Sequence, residues 1–177
     1  MDIENLFLKR QSCRNFKDTP ISEETITRIC DLARLAPSAC NSQPWKMVAV
    51  LGEKAKEVAK SVQGLGMNKF TDNCPAFIVI IQESSSVVAK IGCKITQGDF
   101  ASNDIGILTA HIVLAAESLG VGSCILGWRN EKSLNKILNL NEKKKIPLVI
   151  ALGYPADDDK LRKKNRKPFK DVFEIVK

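Results

Sequence analysis

The spacing of apolar residues changes several times along the chain, and each change predicts an element. Ile3, Leu6, Phe7 and Arg10 fall at i, i+3, i+4 and i+7, one face of a helix over residues 3–10. Farther on, Ser22 precedes the acids Glu23 and Glu24, a hydroxyl cap followed by negative charge at the positive end of a helix dipole. Ile26, Ile29, Cys30 and Ala33 continue that helix as a buried face until Pro37 ends it. Residues 46–51 read as a strand, and 53–63 as a helix closed by Gly64. Between 76 and 81 the run is apolar without interruption, as in a strand buried on both faces. Over 99–120, Ile105, Leu108, Ile112, Ala115, Ala116 and Leu119 cover most of a helix circumference, which predicts a central, nearly buried helix stopped by Gly120. A short helix from Asn130 and Glu131 through Leu138 and a second buried strand over 146–152 follow. The Ser-rich, polar stretch 82–98 is expected to be loop, with at most one helical turn.

This length suits one domain over 1–177, and the balance of 44% hydrophobic to 27% charged residues is that of an ordinary soluble chain. No apolar run nears the roughly 20 residues of a membrane helix, and the start, MDIENLFLKR, lacks the basic-then-apolar layout of a secretory signal. A cytoplasmic location is therefore expected. The six cysteines, at 13, 30, 40, 74, 93 and 124, contain no C-x-x-C pair and read as reduced thiols packing as small hydrophobes. His111 is the single histidine, so no metal site is expected, and its place inside the central helix suggests a hydrogen-bonded packing role.

Charge alters the picture at one end. Of the net +7, residues 160–177 hold eight Lys or Arg against Asp171 and Glu174, a net of +6. A solvated tail or an anion clamp accounts for such a run; without interleaved aromatics it is a poor nucleic-acid surface. Val172, Phe173, Ile175 and Val176 are too apolar for a free tail, and 160–177 is expected to be a basic extension packing on a partner subunit.

The candidate chemistry gathers where the second helix gives way to a strand. Residues 37–45 read PSACNSQPW, with Pro37 and Pro44 breaking the backbone ladder around Ser38, Ala39, Asn41, Ser42 and Gln43. Short neutral polar side chains of this kind suit a flat ligand with a polar edge, although by composition alone the stretch reads more often as an ordinary connection. Upstream, Arg10, Gln11, Ser12 and Arg14 follow the first helix; they form either a solvated helix end or a set of forked donors for a phosphate. Gly64 and Gly66 are no dinucleotide fingerprint, since no strand feeds them and the third glycine is missing.

These pieces together resemble the nitroreductase-like flavoproteins, which carry Arg-x-Ser-x-Arg, then Ala-Pro-Ser, then Asn-x-Gln-Pro-Trp; here they are Arg10, Ser12, Arg14, Ala36, Pro37, Ser38, Asn41, Gln43, Pro44 and Trp45. Asp104-x-Gly106 leading to Leu114-Ala115-Ala116 and Leu119-Gly120 is similar to that family's dimer-core helix. The resemblance implies an α+β, three-layer sandwich with a central mixed, largely antiparallel sheet flanked by helices, in an intertwined homodimer with FMN at the subunit interface. It implies FMN contacts from Arg10, Gln11, Ser12, Arg14, Pro37, Ser38, Ala39, Asn41 and Gln43, from Lys69, and from the main-chain amides of Leu126 and Gly127. That last pair stands where many members have Pro-x-Glu-Gly and this chain has Cys124, Ile125, Leu126 and Gly127. Lys164 and Arg166, with Lys163 as competitor, would grip the flavin phosphate. The flavin carries the chemistry, so no side-chain acid or base is expected; Arg14 would stabilise the reduced ring. The implied activity is ping-pong transfer of electrons from NADH or NADPH to a nitroaromatic, quinone or similar conjugated acceptor. A dehalogenase, a flavin-fragmenting relative and a non-catalytic flavin-binding protein are the alternatives.

Overall fold

In the computed structural model, which describes residues 2–177, four strands form one sheet in the order β1-β2-β4-β3. They are β1 (Trp45–Leu51), β2 (Ala76–Gln82), β3 (Gly122–Leu126) and β4 (Leu148–Gly153). All three pairings are antiparallel, and a parallel bridge between Ser12 and Ser123 adds the mixed element at the β3 edge.

The uninterrupted apolar run explains the layering. Side chains alternate along a strand, so Phe77, Val79 and Ile81 enter one core while Ala76, Ile78 and Ile80 enter the other. On the first side lie α3 (Glu53–Ser61) and α6 (Glu131–Ile137), through Val58, Ala59 and Leu134. On the second lie α2 (Glu23–Ala33) and α5 (Phe100–Ser118), through Ile26, Ile29, Leu108 and Ile112. Each such fully buried Leu or Ile contributes about 1.5–3 kcal/mol relative to exposure. The result is the expected α+β three-layer sandwich. Ser22 caps α2 by accepting a hydrogen bond from the Thr25 amide, as its position before two acids predicts.

Three elements depart from expectation, the first being strand β3, which forms where no strand was predicted. The stretch 82–98 is not a loop throughout: Val87–Thr96 forms a helix, α4, with Ser86 accepting from the Ala89 amide at its start. Val87, Val88, Ile91 and Ile95 stay exposed on it and Ala89 alone is buried, so the helix gains little from burial beyond its cap. The first helix, α1 (Ile3–Lys9), forms as predicted but buries none of its residues; Ile3 and Phe7, expected on its packing face, are open to solvent.

Candidate functional site

The bridge from Ser12 to Ser123 holds the segment after α1 alongside β3, with the Cys13 amide donating to the Ser123 carbonyl at 2.9 Å. The basic extension is stitched across this segment. The Arg162 amide donates to Gln11 Oε1 at 3.0 Å, Gln11 Nε2 donates to the Lys160 carbonyl at 3.3 Å, and Lys164 Nζ donates to the Arg10 carbonyl at 2.7 Å. Arg162 pairs with Asp159 at 2.7 Å and also donates to the Ser12 carbonyl. Arg10, Gln11, Ser12, Arg14, Lys164 and Arg166, distant in sequence, therefore line one depression of about 250 Å³, joined by Arg162 and Lys163.

The electrostatics of this depression call for an anion. Partial burial, then the neighbouring Arg10 and Arg166, hold the Lys164 ammonium below the usual lysine range. Nearby Glu117 is pushed upward by burial against the opposing pull of Arg10, Lys9 and Lys164. Crowded cations with forked donors are the arrangement that a phosphate dianion relieves. Arg162 was not among the sequence candidates: its place in a run of basic residues gave no sign that it would anchor the extension to Ser12.

At the far end of β3 the amides divide. Ser123 turns its carbonyl outward to Cys13, so alternation along the strand directs the Leu126 amide toward β4, leaving Gly127, just past the strand, as the free-edge residue. The Gly127 carbonyl accepts from Arg129 Nη1 at 2.6 Å. Lys69, exposed in a 3-10 turn over Lys69–Asn73, follows a loop in which Gly66 meets the Lys69 side chain and Gly64 meets the indole of Trp128, the residue after Gly127.

The loop that precedes β1 is built by different contacts. Cys40, Asn41 and Gln43 have φ of 52°, 48° and 45°, the left-handed region that costs a residue with a Cβ roughly 1–2 kcal/mol. Three interactions hold it. Ser38 Oγ accepts from the Gln43 amide at 2.9 Å, Ser42 Oγ accepts from the Ser86 amide at 2.7 Å, and Asp104 Oδ1 accepts from the Ala39 amide at 3.0 Å. Gln43 Nε2 also donates to the Asn41 carbonyl and Oδ1, at 3.2 and 3.1 Å. Asn41, Gln43 and Pro37 remain exposed. Asp104 is 4% exposed, and its Oδ2 has no hydrogen-bond partner among the described residues. The sequence marked this aspartate only as part of a helix pattern, not as the support of the loop.

These two assemblies are far apart within one chain. The loop leads into β1 and the basic depression borders β3, the two ends of the four-strand order, three spacings of about 4.8 Å from each other. Helix α5 measures the same gap lengthwise: Asp104 under the loop and Glu117 near the cations are thirteen residues apart, about 20 Å of helix. His111 lies between them, hydrogen-bonded through Nδ1 to the Ile107 carbonyl at 3.0 Å.

Comparison with known proteins agrees with this layout. The nitroreductase family model matches residues 8–154. A relative from Archaeoglobus fulgidus, named as a candidate NADH dehydrogenase/NAD(P)H nitroreductase, is 34% identical over 154 residues, covering 84% of this chain and 83% of its own. Among solved structures, a nitroreductase family protein from Streptococcus pneumoniae superposes with a TM-score of 0.81 at 24% identity, over 99% of this chain and 100% of its own. An FMN-dependent nitroreductase from Clostridium difficile gives 0.78 at 26% identity, over 97% and 98%. With the Arg-Ser-Arg segment, the Pro-Ser to Pro-Trp loop and the sandwich between them all in place, the chain belongs to the nitroreductase family.

Proposed function

We propose that the protein is an FMN-dependent NAD(P)H oxidoreductase acting on nitroaromatic, quinone or similar conjugated acceptors. The observation that carries this is the depression in which Arg10, Lys164 and Arg166 converge beside Ser12 and Arg14. Those cations suit the flavin phosphate, and the neutral donors and acceptors of Ser38, Asn41 and Gln43 suit the polar edge of its ring. The names of the relatives, which include an NADPH-dependent oxidoreductase from Staphylococcus haemolyticus, support a nicotinamide reductant.

The separation of the two assemblies supports a homodimer in which each flavin lies between the basic segment of one protomer and the 37–45 loop of another. In that arrangement residues 160–167 form the phosphate grip. The exposed Phe169, Val172, Phe173, Ile175 and Val176 at the end of the extension then cover the partner. Free thiols at all six cysteines suit a cytoplasmic location, and among the described residues no helix is long and apolar enough to cross a membrane.

Bound flavin would supply hydride acceptance from NAD(P)H and its later delivery to the acceptor. The chain's own task is orientation and charge. Arg10 and Lys164 fix the phosphate end, Gln43 and Asn41 present their amides to a ring edge, and Arg14 offers positive charge where negative charge develops. Reductant and acceptor would occupy one cleft in turn, giving parallel double-reciprocal lines. The deciding experiment is an absorbance spectrum of purified protein before and after anaerobic NADPH or NADH. Flavin bands that bleach support the reading; a protein that neither carries nor takes up FMN overturns it.

A further inference from the structure

A surface cleft lies outside the depression and the loop. It runs between α3 and α6, encloses about 530 Å³, and is lined by Lys54, Lys60, Ser61, Gly64, Ser133 and Lys136, with Glu57 as its acid. Three ammonium groups against one carboxylate give it a net positive charge. The Lys60 and Lys136 ammonium groups make no hydrogen bond or ion pair among the described residues, whereas the Lys54 ammonium donates to the Ile137 carbonyl at 3.2 Å. Its floor is ordered: Ser61, 6% exposed, shares a 2.7 Å hydrogen bond with Ser133, and the Ser61 carbonyl accepts from the Asn130 amide at 2.8 Å.

Its position links it to the flavin end of β3. Asn130, on the cleft rim, follows Gly127 by three residues, at most about 11 Å of extended chain. Between them stands Trp128, 45% exposed, with its indole Nε1 only 2.9 Å from where a Cβ on Gly64 would sit. Gly64, which lines the cleft, thus lets the half-exposed Trp128 ring pack against the cleft's edge.

We propose that this cleft is the subsite for the phosphorylated adenosine half of the nicotinamide dinucleotide, with Lys60 and Lys136 on its phosphates and Trp128 against its adenine. The proposal rests on the oxidoreductase reading above and adds where the reductant's remote end is held. A cleft of this volume is of the size that holds a small ligand, and an indole face with nearby cations is a combination that binds a nucleotide.

The test is isothermal titration of flavin-loaded protein with ADP-ribose, which has the adenosine half and no nicotinamide. Saturable binding that weakens about tenfold or more in the double variant Lys60→Glu/Lys136→Glu, with an equal rise in the NADPH concentration needed for half-maximal flavin reduction, supports the subsite. The variant's FMN titration and far-UV spectrum report its fold. Absence of saturable ADP-ribose binding to the parent protein, or equal binding to the variant, overturns it. Failure of the oxidoreductase reading is seen separately, as ADP-ribose binding without flavin bleaching by NADPH.

Discussion

Asp104 Oδ1 accepts a hydrogen bond at 3.0 Å from the amide of Ala39, sixty-five positions earlier in the chain. A buried carboxylate in the central helix thereby fixes the backbone of a loop whose own φ angles are unfavourable. Replacing it with alanine leaves that amide unpaired, at a cost of about 1–3 kcal/mol. Asp104→Ala is expected to lower the urea midpoint and weaken FMN binding together, while Asp104→Asn, which keeps an acceptor oxygen, loses less of both.

At the end of the inner strand β4, a Cβ on Gly153 would lie 2.6 Å from Phe16 Cδ1 and 2.9 Å from Pro75 Cδ. Neither neighbour can swing away, since Phe16 is buried and Pro75 is a closed ring. Gly153→Ala should destabilise by about 1–3 kcal/mol through overpacking, read as a fall in the thermal midpoint.

Lys164→Ala and Arg166→Ala should weaken FMN by about tenfold or more each, the scale of a charge-assisted hydrogen bond. Riboflavin, which lacks the phosphate, should bind parent and variants alike. Fluorescence-quenching titrations with both ligands check this, and equal losses for the two would place the effect elsewhere than at the phosphate.

Glu117 gives a pH signature. Burial raises its folded-state pKa above the unfolded value, so the folded state holds more protons over that window. Its contribution to stability is therefore fully present below the unfolded pKa and is lost as pH rises through the folded one. Glu117→Gln should raise the melting temperature at neutral pH relative to the parent, and the gap should close as pH falls toward 4. A gap independent of pH would assign the effect to packing.

Thiol chemistry should separate the cysteines by place. Burial pushes the Cys13 and Cys74 thiols up to about 12, and Cys124 also upward, whereas Cys40 sits exposed on the loop. A mild disulfide reagent at pH 8 should modify Cys40 in the folded protein and reach Cys13 and Cys74 only after denaturation. Added FMN should slow the Cys40 reaction.

Legibility in the sequence followed burial. The run from Ala76 to Ile81 and the crowded circumference of α5 were readable because two-sided or all-round burial leaves only apolar residues. Helix α4 escaped because its large apolar residues Val87, Val88, Ile91 and Ile95 are exposed, and the Ser-rich approach to it dominated the stretch; the spacing of Val87, Ile91 and Ile95 was the signal available. Strand β3 was missed: the resemblance drew attention only to the main-chain amides of Leu126 and Gly127, and the extended form of Gly122–Leu126 depends on pairing with β4 across the sheet. At the site, residue types named the 10–14 and 37–45 segments. Arg162 and Asp104 were hidden because their roles lie in contacts over 150 and 65 positions, which no local pattern encodes.

The placement of the two assemblies at opposite sheet edges has a genetic consequence. If each flavin joins the basic segment of one protomer to the loop of another, a chain damaged at Arg10 and a chain damaged at Gln43 are each inactive alone. Unfolded together and refolded as a mixture, they would assemble partly as mixed dimers in which one site gathers both lesions and the other gathers none. Two dead proteins would then recover activity at about a quarter of all sites, by the statistics of random pairing in a two-fold dimer.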